Sequence, residues 1–597
     1  MTTSTFDKVE KYHHERVKML ELEKQKFLNR SRIWVVVRLI SFSIIPLTIY
    51  FGYPLGGYSA LILVAEVVLF LFFVRKSAEN KEELNFTKHL IELNENELKA
   101  LKNDFSAFND GSTYIDHSHP FTYDMDVFGR DSFFQIINRT VTNRGESTLA
   151  EKLCNGTKAQ ELSLEAVQEL AEHPDWYQSY LAHGMQQKEE VEGLSVANWS
   201  KSKIDTKSWM KALSFLLPFI AFSLTALYLW DLINELYFLI GFLLVMMPVR
   251  QTLKQTNALH QSLSKLGPGV GAMRKQIEHL EQITFQSTLL KNYQSALFQS
   301  DKNAANSLNE LAKLVKHAEY RNNILVAIML NFFLSWDHRL IMRSNQWIEQ
   351  NKDSIEEWEQ LIFELEALIS GANYRRVFTD VTTQPHLIDD ETAEIKFEGL
   401  GHPIIPQGKR IVNDFELASS QYFAIITGPN MAGKSTFLRS VGVNIMMAQA
   451  GFHVMAKSFT FPKLRLYSSM RTSDDLSEDT SYFHAELLRL RFIMDAIDRG
   501  DKVFIILDEI LKGTNSKDKE EGSRKFLTKL KEKGARGLIA THDLSLTSLA
   551  KEFTGIINIY FDTNIQGDEI SFDYKLNDGV AKNMNASFLL KKMKLTD

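Results

Sequence analysis

The sequence predicts a multidomain protein of α plus α/β class: a helical body interrupted by two transmembrane hairpins, then a phosphate-loop α/β domain. Three observations carry that expectation. Four strongly apolar runs occur as two pairs, each joined by a very short turn. The segments beside them are charged and have helical periodicity. From about residue 395, short β-rich runs alternate with helices, which argues a mainly parallel sheet. The 597 residues allow several domains. With 44% hydrophobic and 24% charged residues, the chain is neither disordered nor collagen-like. A net charge of -6 excludes a large unbalanced basic field, though a local patch can still take a nucleic acid. The single cysteine, Cys154, excludes an intrachain disulfide and a cysteine-rich metal site.

Taken in order, residues 1–32 read as a cytoplasmic helix with Val9, Val17 and Leu20 on one face. Residues 33–76 form the first hairpin, IWVVVRLISFSIIPLTIYFGY and GYSALILVAEVVLFLFFV. Each run is close to the ~20 residues that cross ~30 Å of hydrocarbon. Residues 77–109 read as a helical connector whose Leu90, Leu93, Leu98 and Leu101 pair with the first helix as a short coiled coil. A core region, 110–208, is followed by the second hairpin, 209–250, with runs Leu213–Trp230 and Leu232–Val249. Residues 251–395 continue the core, with helical patterns at Leu253–Leu266 and Ser354–Ile369. Lys and Arg crowd the outer flanks of both hairpins and are absent from the turns near Pro54 and Asp231. Positive-inside bias places both termini and all large segments in the cytoplasm, as a multi-pass protein of the cytoplasmic membrane. Arg38 and Glu66 lie at similar depths, roughly 9–12 Å, so they either pair or sit apart, with Arg38 snorkelling and Glu66 protonated.

Residues 396–597 carry the chemistry. The segment Gly428-Pro429-Asn430-Met431-Ala432-Gly433-Lys434-Ser435-Thr436 follows a strand-like AIIT and opens a helix, the context of a P-loop. Its glycines let backbone N–H groups curl around phosphates, and the helix N-terminus adds partial positive charge. Lys434 is expected on the β/γ-phosphates of ATP and Ser435 on Mg²⁺. About 75 residues on, Val503-Phe-Ile-Ile-Leu-Asp508-Glu509 delivers two carboxylates at the end of an apolar strand. Asp508 is expected to hold Mg²⁺ and Glu509 to act as general base for the attacking water. His542, after the strand GLIA, is placed to sense the γ-phosphate. The domain closes with GIINIYFD and EISFDYKL around an Asn-Ile-Gln-Gly-Asp turn.

At these residues the chain resembles the MutS family of ATPases. Asn430 and Met431 within PNMAGKST are unusual among P-loops generally and similar to that family's loop. The stretch Ser473-Asp-Asp-Leu-Ser-Glu-Asp-Thr-Ser481-Tyr-Phe483-His-Ala-Glu486 resembles the family signature, whose serine reaches the nucleotide of a partner subunit. Asp508-Glu509 with Gly513-Thr514, Ala540-Thr-His542, His402-Pro403 and Tyr574–Ala581 also match. Upstream, Phe134–Gly145, Glu364–Ser370 and Ala372-Asn-Tyr resemble the start and end of the family's helical core. The likeness covers about 110–208 and 251–590. It implies a MutS-type core and lever followed by an ATPase domain of ABC type. It also implies a homodimer with ATP and Mg²⁺ at composite sites that include Ser481, and a link to DNA and mismatch repair.

The departures are specific. The first 110 residues contain no Phe-Xaa-Glu wedge of the mismatch readers and hold the apolar runs instead. Tyr482 stands where a Thr is usual, and Lys512 and Asn515 replace the usual Arg and Ser. The resulting expectation is a membrane-anchored MutS-like ATPase coupled to DNA binding. Two alternatives stay open: a transporter-type or other membrane ATPase that does not act on DNA, and an ATP-switched scaffold. Absence of a Leu-Ser-Gly-Gly-Gln exporter signature weighs against transport.

Overall fold

A computed structural model describes residues 5–52, 57–185, 195–202, 208–298, 303–429, 431–471, 482–512, 515–566 and 569–581. The chain opens with two very long helices, α1 (Thr5–Gly52) and α2 (Gly57–Ala100), packed against each other along their length. Each joins an apolar half to a polar half without a break. In the polar halves Leu20, Leu90 and Ile91 are buried together, and His13 Nδ1 lies 2.8 Å from Asn94 Oδ1. The pair also docks on the body, since Asn94 Nδ2 donates to Gln178 Oε1 at 3.0 Å.

In the apolar halves Arg38 and Glu66 are not partners. Glu66 accepts from the Thr48 hydroxyl at 2.6 Å. Ring contacts Trp34–Phe73 and Phe42–Phe70 set the register. That register puts Arg38 ten residues, ~15 Å along α1, from the level of Glu66.

The helical body contains α3 (Phe133–Ile137), α4 (Asn143–Asn155), α5 (Gln160–Ala171), α6 (Pro174–Gly184) and α7 (Val196–Ser200). It continues with α8 (Ser208–Leu229), α9 (Glu235–Glu281), α10 (Thr288–Phe298), α11 (Ala304–Glu319), α12 (Ile324–Leu334), α13 (Trp336–Asn351) and α14 (Ile355–Val377). Buried α14 is the spine, flanked by α4 and α5. The Asn138–Gly145 motif now has a physical reason. Thr142 caps α4, and buried Glu366 of α14 accepts from the backbone N–H groups of Val141 and Thr142 at 3.1 and 3.2 Å. A Cβ on Gly145 would stand 2.2 Å from a Glu366 carboxylate oxygen, so only glycine fits.

The end expected for the second hairpin, residue 250, falls inside a continuous helix. Helix α9 runs unbroken through Pro248 and Pro268, so Leu253–Leu266 is part of it. Each interior proline costs about 3 kcal/mol, and packing against α6, α8, α11 and α13 outweighs that. Among the described residues, α1, α8 and α9 are long and apolar enough to cross a membrane by length and composition. A further apolar helix, α12, is too short to stand out as a run; it meets α13 at a bend of 81°.

The strands are β1 (His386–Ile388), β2 (Ile395–Leu400), β3 (Asn413–Leu417), β4 (Phe423–Thr427), β5 (Ser458–Pro462), β6 (Arg465–Ser469), β7 (Val503–Asp508), β8 (Arg536–Ala540), β9 (Ile556–Phe561), β10 (Asn564–Gln566), β11 (Glu569–Ser571) and β12 (Leu576–Asp578). Six form a sheet in the order β12-β9-β4-β8-β7-β6, parallel except where β12 meets β9. A second sheet, β1-β5-β2-β3, begins at His386, ahead of the change in texture read at 395. Asn564–Gln566, expected in a turn, instead form β10, which pairs antiparallel with β11 as a small separate sheet. Helices α15 (Lys434–Gln449), α16 (Tyr482–Asp498), α17 (Ser516–Glu532) and α18 (Leu549–Glu552) complete the domain.

Candidate active site

Strand β4 is buried at every position and releases the chain at Gly428. Gly428 has φ 139°, and a Cβ there would sit 2.6 Å from the Phe561 carbonyl oxygen. Gly433, φ 107°, is the N-cap of α15 and faces the Tyr574 ring. Met431, φ 71°, is exposed at the loop tip. The loop therefore bends at three left-handed positions around the first turn of α15. Buried Lys434 reaches back to donate to the Gly428 and Pro429 carbonyls at 2.7 and 3.0 Å. Burial lowers its pKa from the ordinary lysine value.

Parallel pairing of β4 with β8, and of β8 with β7, brings the two halves of the site together. The Ser435 hydroxyl donates to Asp508 Oδ2 at 2.6 Å across 73 residues of chain. Glu509 Oε1 lies 2.5 Å from His542 Nε2. That hydrogen bond holds the Glu509 carboxyl down at about 2, against the opposing effect of burial. Lys434 Nζ is 3.4 Å from the same histidine nitrogen. The turn after β7 is strained, with Glu509 at φ 54° and Leu511 at φ 59°. Buried Glu486 of α16 holds it by accepting from the Leu511 and Lys512 backbone N–H groups. In the sequence Glu486 stands only as the end of a motif, and nothing there points to this task.

Other matched pieces lie around the loop. The Ala581 N–H donates to Thr427 Oγ1 at 3.1 Å. His402 is buried, and burial pushes its pKa down to about 4. A cavity of about 340 Å³ beside the loop is lined by His402, Ile405, Lys409, Gly433, Thr436 and Tyr574, among others. Asn430, Ser481 and the Gly513-Thr514 pair lie outside the described residues. Also unforeseen is a clamp from residues 116–128 onto this domain. Asp126 takes Arg439 of α15 at 2.5 Å and Arg471 at 2.5 and 2.8 Å. Asp124 accepts from Ser468 Oγ and from the Met470 and Arg471 N–H groups at 2.6, 3.2 and 2.9 Å.

Residues 424–595 match the family described as MutS domain V. The matched segment contains Lys434, Ser435, Glu486, Asp508, Glu509 and His542, and leaves out His402 and the clamp residues Asp124 and Asp126. Curated relatives extend the likeness modestly. A DNA mismatch repair protein MutS of Thermotoga sp. is 32% identical over 202 residues, 33% of this chain and 25% of the relative. One of Acetivibrio thermocellus is 38% identical over 208 residues, 34% and 23%. A DNA mismatch repair protein MutS 2 of Haloarcula marismortui is 32% identical over 209 residues, 34% and 22%. The matched part of the chain thus spans about a quarter of the length of these relatives.

Proposed function

We propose that the protein is a membrane-anchored ATPase of the MutS family, binding and hydrolysing ATP with Mg²⁺ in a dimer and coupling that cycle to DNA. The single observation that carries the ATPase reading is the 2.6 Å approach of Ser435 Oγ to Asp508 Oδ2. A hydroxyl and a carboxylate there suit a small hard cation that keeps most of its shell from water and phosphate. Such a cation supplies charge neutralisation at the transferring phosphoryl group. The residues fit this role: Lys434 is a buried ammonium whose two loop-carbonyl contacts a phosphate oxygen can replace. N–H groups of α15 add the helix-terminus contribution.

Glu509 is assigned as the base that orients and deprotonates water, and His542 as its partner. The 2.5 Å contact between them describes a resting arrangement, because a carboxylate held at about 2 is a weak base. Turnover needs His542 to turn from Glu509 toward the γ-phosphate. The apolar part of the neighbouring cavity suits an adenine ring against Tyr574 and Ile405. Ser481 is assigned to the nucleotide of a second copy, after the family signature.

Anchoring rests on exposure. None of the most apolar window of α1 is buried. Side chains such as Leu39, Phe42, Phe215, Phe219 and Leu244 lie more than half exposed in two helix pairs. Apolar surface of that extent is unstable against water and stable against lipid. The distribution of Lys and Arg supports a body on the cytoplasmic side. The DNA role is carried by the names of the relatives and by the likeness of domain V.

Purified full-length protein should hydrolyse ATP only with Mg²⁺. It should also bind duplex, mismatched or branched DNA with an affinity that falls as salt rises. Binding to none of these at low salt removes the DNA role and leaves the ATPase in place.

A further inference from the structure

Helix α12 has no counterpart among the four apolar runs, and its position is unusual. Its sequence, ILVAIMLNFFL, contains one polar residue in eleven. At ~1.5 Å per residue it is ~16 Å long, about half a bilayer core. One face packs on the second hairpin. Phe332 lies 5.0 Å from Phe242 of α9, ring to ring, and Phe333 lies 5.2 Å from Phe222 of α8. The other face has no cover among the described residues: Ile324, Leu325 and Met329 are 72%, 69% and 61% exposed.

The two ends of this segment attach to α9 five residues, ~7.5 Å, apart. Before α12, Arg321 Nη2 donates to Asn257 of α9 at 3.0 Å. After it, His338 Nε2 is 3.4 Å from Thr252 Oγ1, and Arg339 donates to the Ser214 carbonyl at 3.2 Å. Between them, the α12 tip reaches Phe242, ten residues or ~15 Å further along α9 than Thr252. The chain thus climbs beside the hairpin and then turns by 81° into α13. The turn is built for this. Ser335 adopts φ 48°, and buried Asn331 spans the bend, donating to the Ala327 carbonyl and accepting from the Asp337 N–H, both at 3.0 Å. Arg321 and Asp337, 10% and 0% exposed, join the two limbs at the base by an ion pair of 3.2 Å.

We propose that α12 is a re-entrant half-helix that dips into the leaflet facing the helical body. This rests on the membrane reading of the two hairpins and adds a third embedded element to it. Lipid, not protein, is the assigned occupant because the exposed face of α12 continues the apolar surface of Phe215, Phe219 and Phe222 on α8. The Tyr320 and Trp336 rings, 5.9 Å apart, flank α12 before and after it, and amphipathic rings of this kind favour a membrane boundary. Lys313, Lys316 and Arg343 follow within the adjoining helices, as expected beneath an anionic leaflet. The consequence is that α11 and α13, which belong to the ATP-driven body, grip the bilayer directly.

The test uses full-length Cys154→Ser protein in phosphatidylcholine–phosphatidylglycerol liposomes. The further single substitutions Leu325→Cys, Met329→Cys, Phe219→Cys and Ile411→Cys each carry a small fluorophore and are challenged with lipids spin-labelled at shallow or deep acyl positions. The label at 329 is expected to be quenched severalfold more than that at 411. Deep quencher should favour 329, and shallow quencher should favour 325. Quenching at 219 but not 329 overturns the half-helix and leaves the anchoring intact. Equal depth at 325 and 329 means a helix lying flat and also overturns it. Disulfide-linked dimers of unlabelled Met329→Cys protein, without lipid quenching of the labelled form, assign this face to a second copy and overturn it. Quenching at neither 219 nor 329 removes the anchoring reading and the half-helix together.

Discussion

Lys434, Asp508, Glu509 and His542 come from three different strand ends, yet they fall within a few ångströms of one another because β4, β8 and β7 are adjacent and parallel. This gives separable expectations for single substitutions. Glu509→Gln should keep ATP binding and lower kcat by about 10²–10⁴-fold, as expected for loss of a positioned base. Lys434→Ala should lose binding itself, read as failure to retain nucleotide on a desalting column.

A second residue-scale expectation concerns Glu366, which burial pushes up to about 7. A carboxyl whose folded pKa lies above its unfolded value contributes fully to stability below about pH 4.5. That contribution is lost as pH rises toward 7. Wild-type protein should therefore lose thermal stability across pH 4.5–7 relative to Glu366→Gln, which does not titrate. Melting curves across that range check it, and parallel pH profiles for the two proteins contradict it. The role of glycine at 428, 433 and 145 is legible in the sequence for the first two only. The Gly145 constraint comes from a glutamate more than two hundred residues away, which no local pattern reveals.

At the scale of elements, the sequence identifies those with strong periodicity or long apolar runs and misses those defined by partners. The apolar runs, α15 and strands β4, β7 and β8 stand close to where periodicity puts them. The β1-β5-β2-β3 sheet is not visible in the sequence, because IKFEGL and NDFEL mix charges with short apolar stretches and gain their structure only by pairing. Helix α9 continues past residue 250, where the apolar run ends, because the packing that carries it through Pro248 and Pro268 comes from other helices and is not a local signal. The clamp of residues 116–128 escapes for the same reason: Asp124 and Asp126 form no motif. Asp124 is 3% exposed, and its removal leaves the Met470 and Arg471 N–H groups without that acceptor. Asp124→Ala should thus cost about 2–4 kcal/mol. Asp126→Ala, which breaks half-exposed ion pairs, should cost roughly 1 kcal/mol or less. Denaturant unfolding of the two variants checks the order, and a larger loss for Asp126→Ala contradicts it.

For the whole molecule, the arrangement is a phosphate site clamped to a helical body whose own long helices carry the apolar surface. Contacts run from α14 through α4 to α15, and from α14 to α9, so movement at the phosphate loop is not isolated from α9 and α13. If the hairpins lie in lipid, the protein should stay with the membrane pellet after an alkaline carbonate wash and enter solution only with detergent. Release by carbonate contradicts the anchoring.

The central claim is that the Ser435–Asp508 and Glu509–His542 pairs form a working magnesium–ATP pocket. The direct measurement is phosphate release, with bound nucleotide counted in parallel, by full-length wild type and Glu509→Gln in liposomes. The account predicts Mg²⁺-dependent turnover in wild type and retained, uncleaved ATP in the variant. Equal turnover by the two proteins, or no ATP held by either, contradicts it.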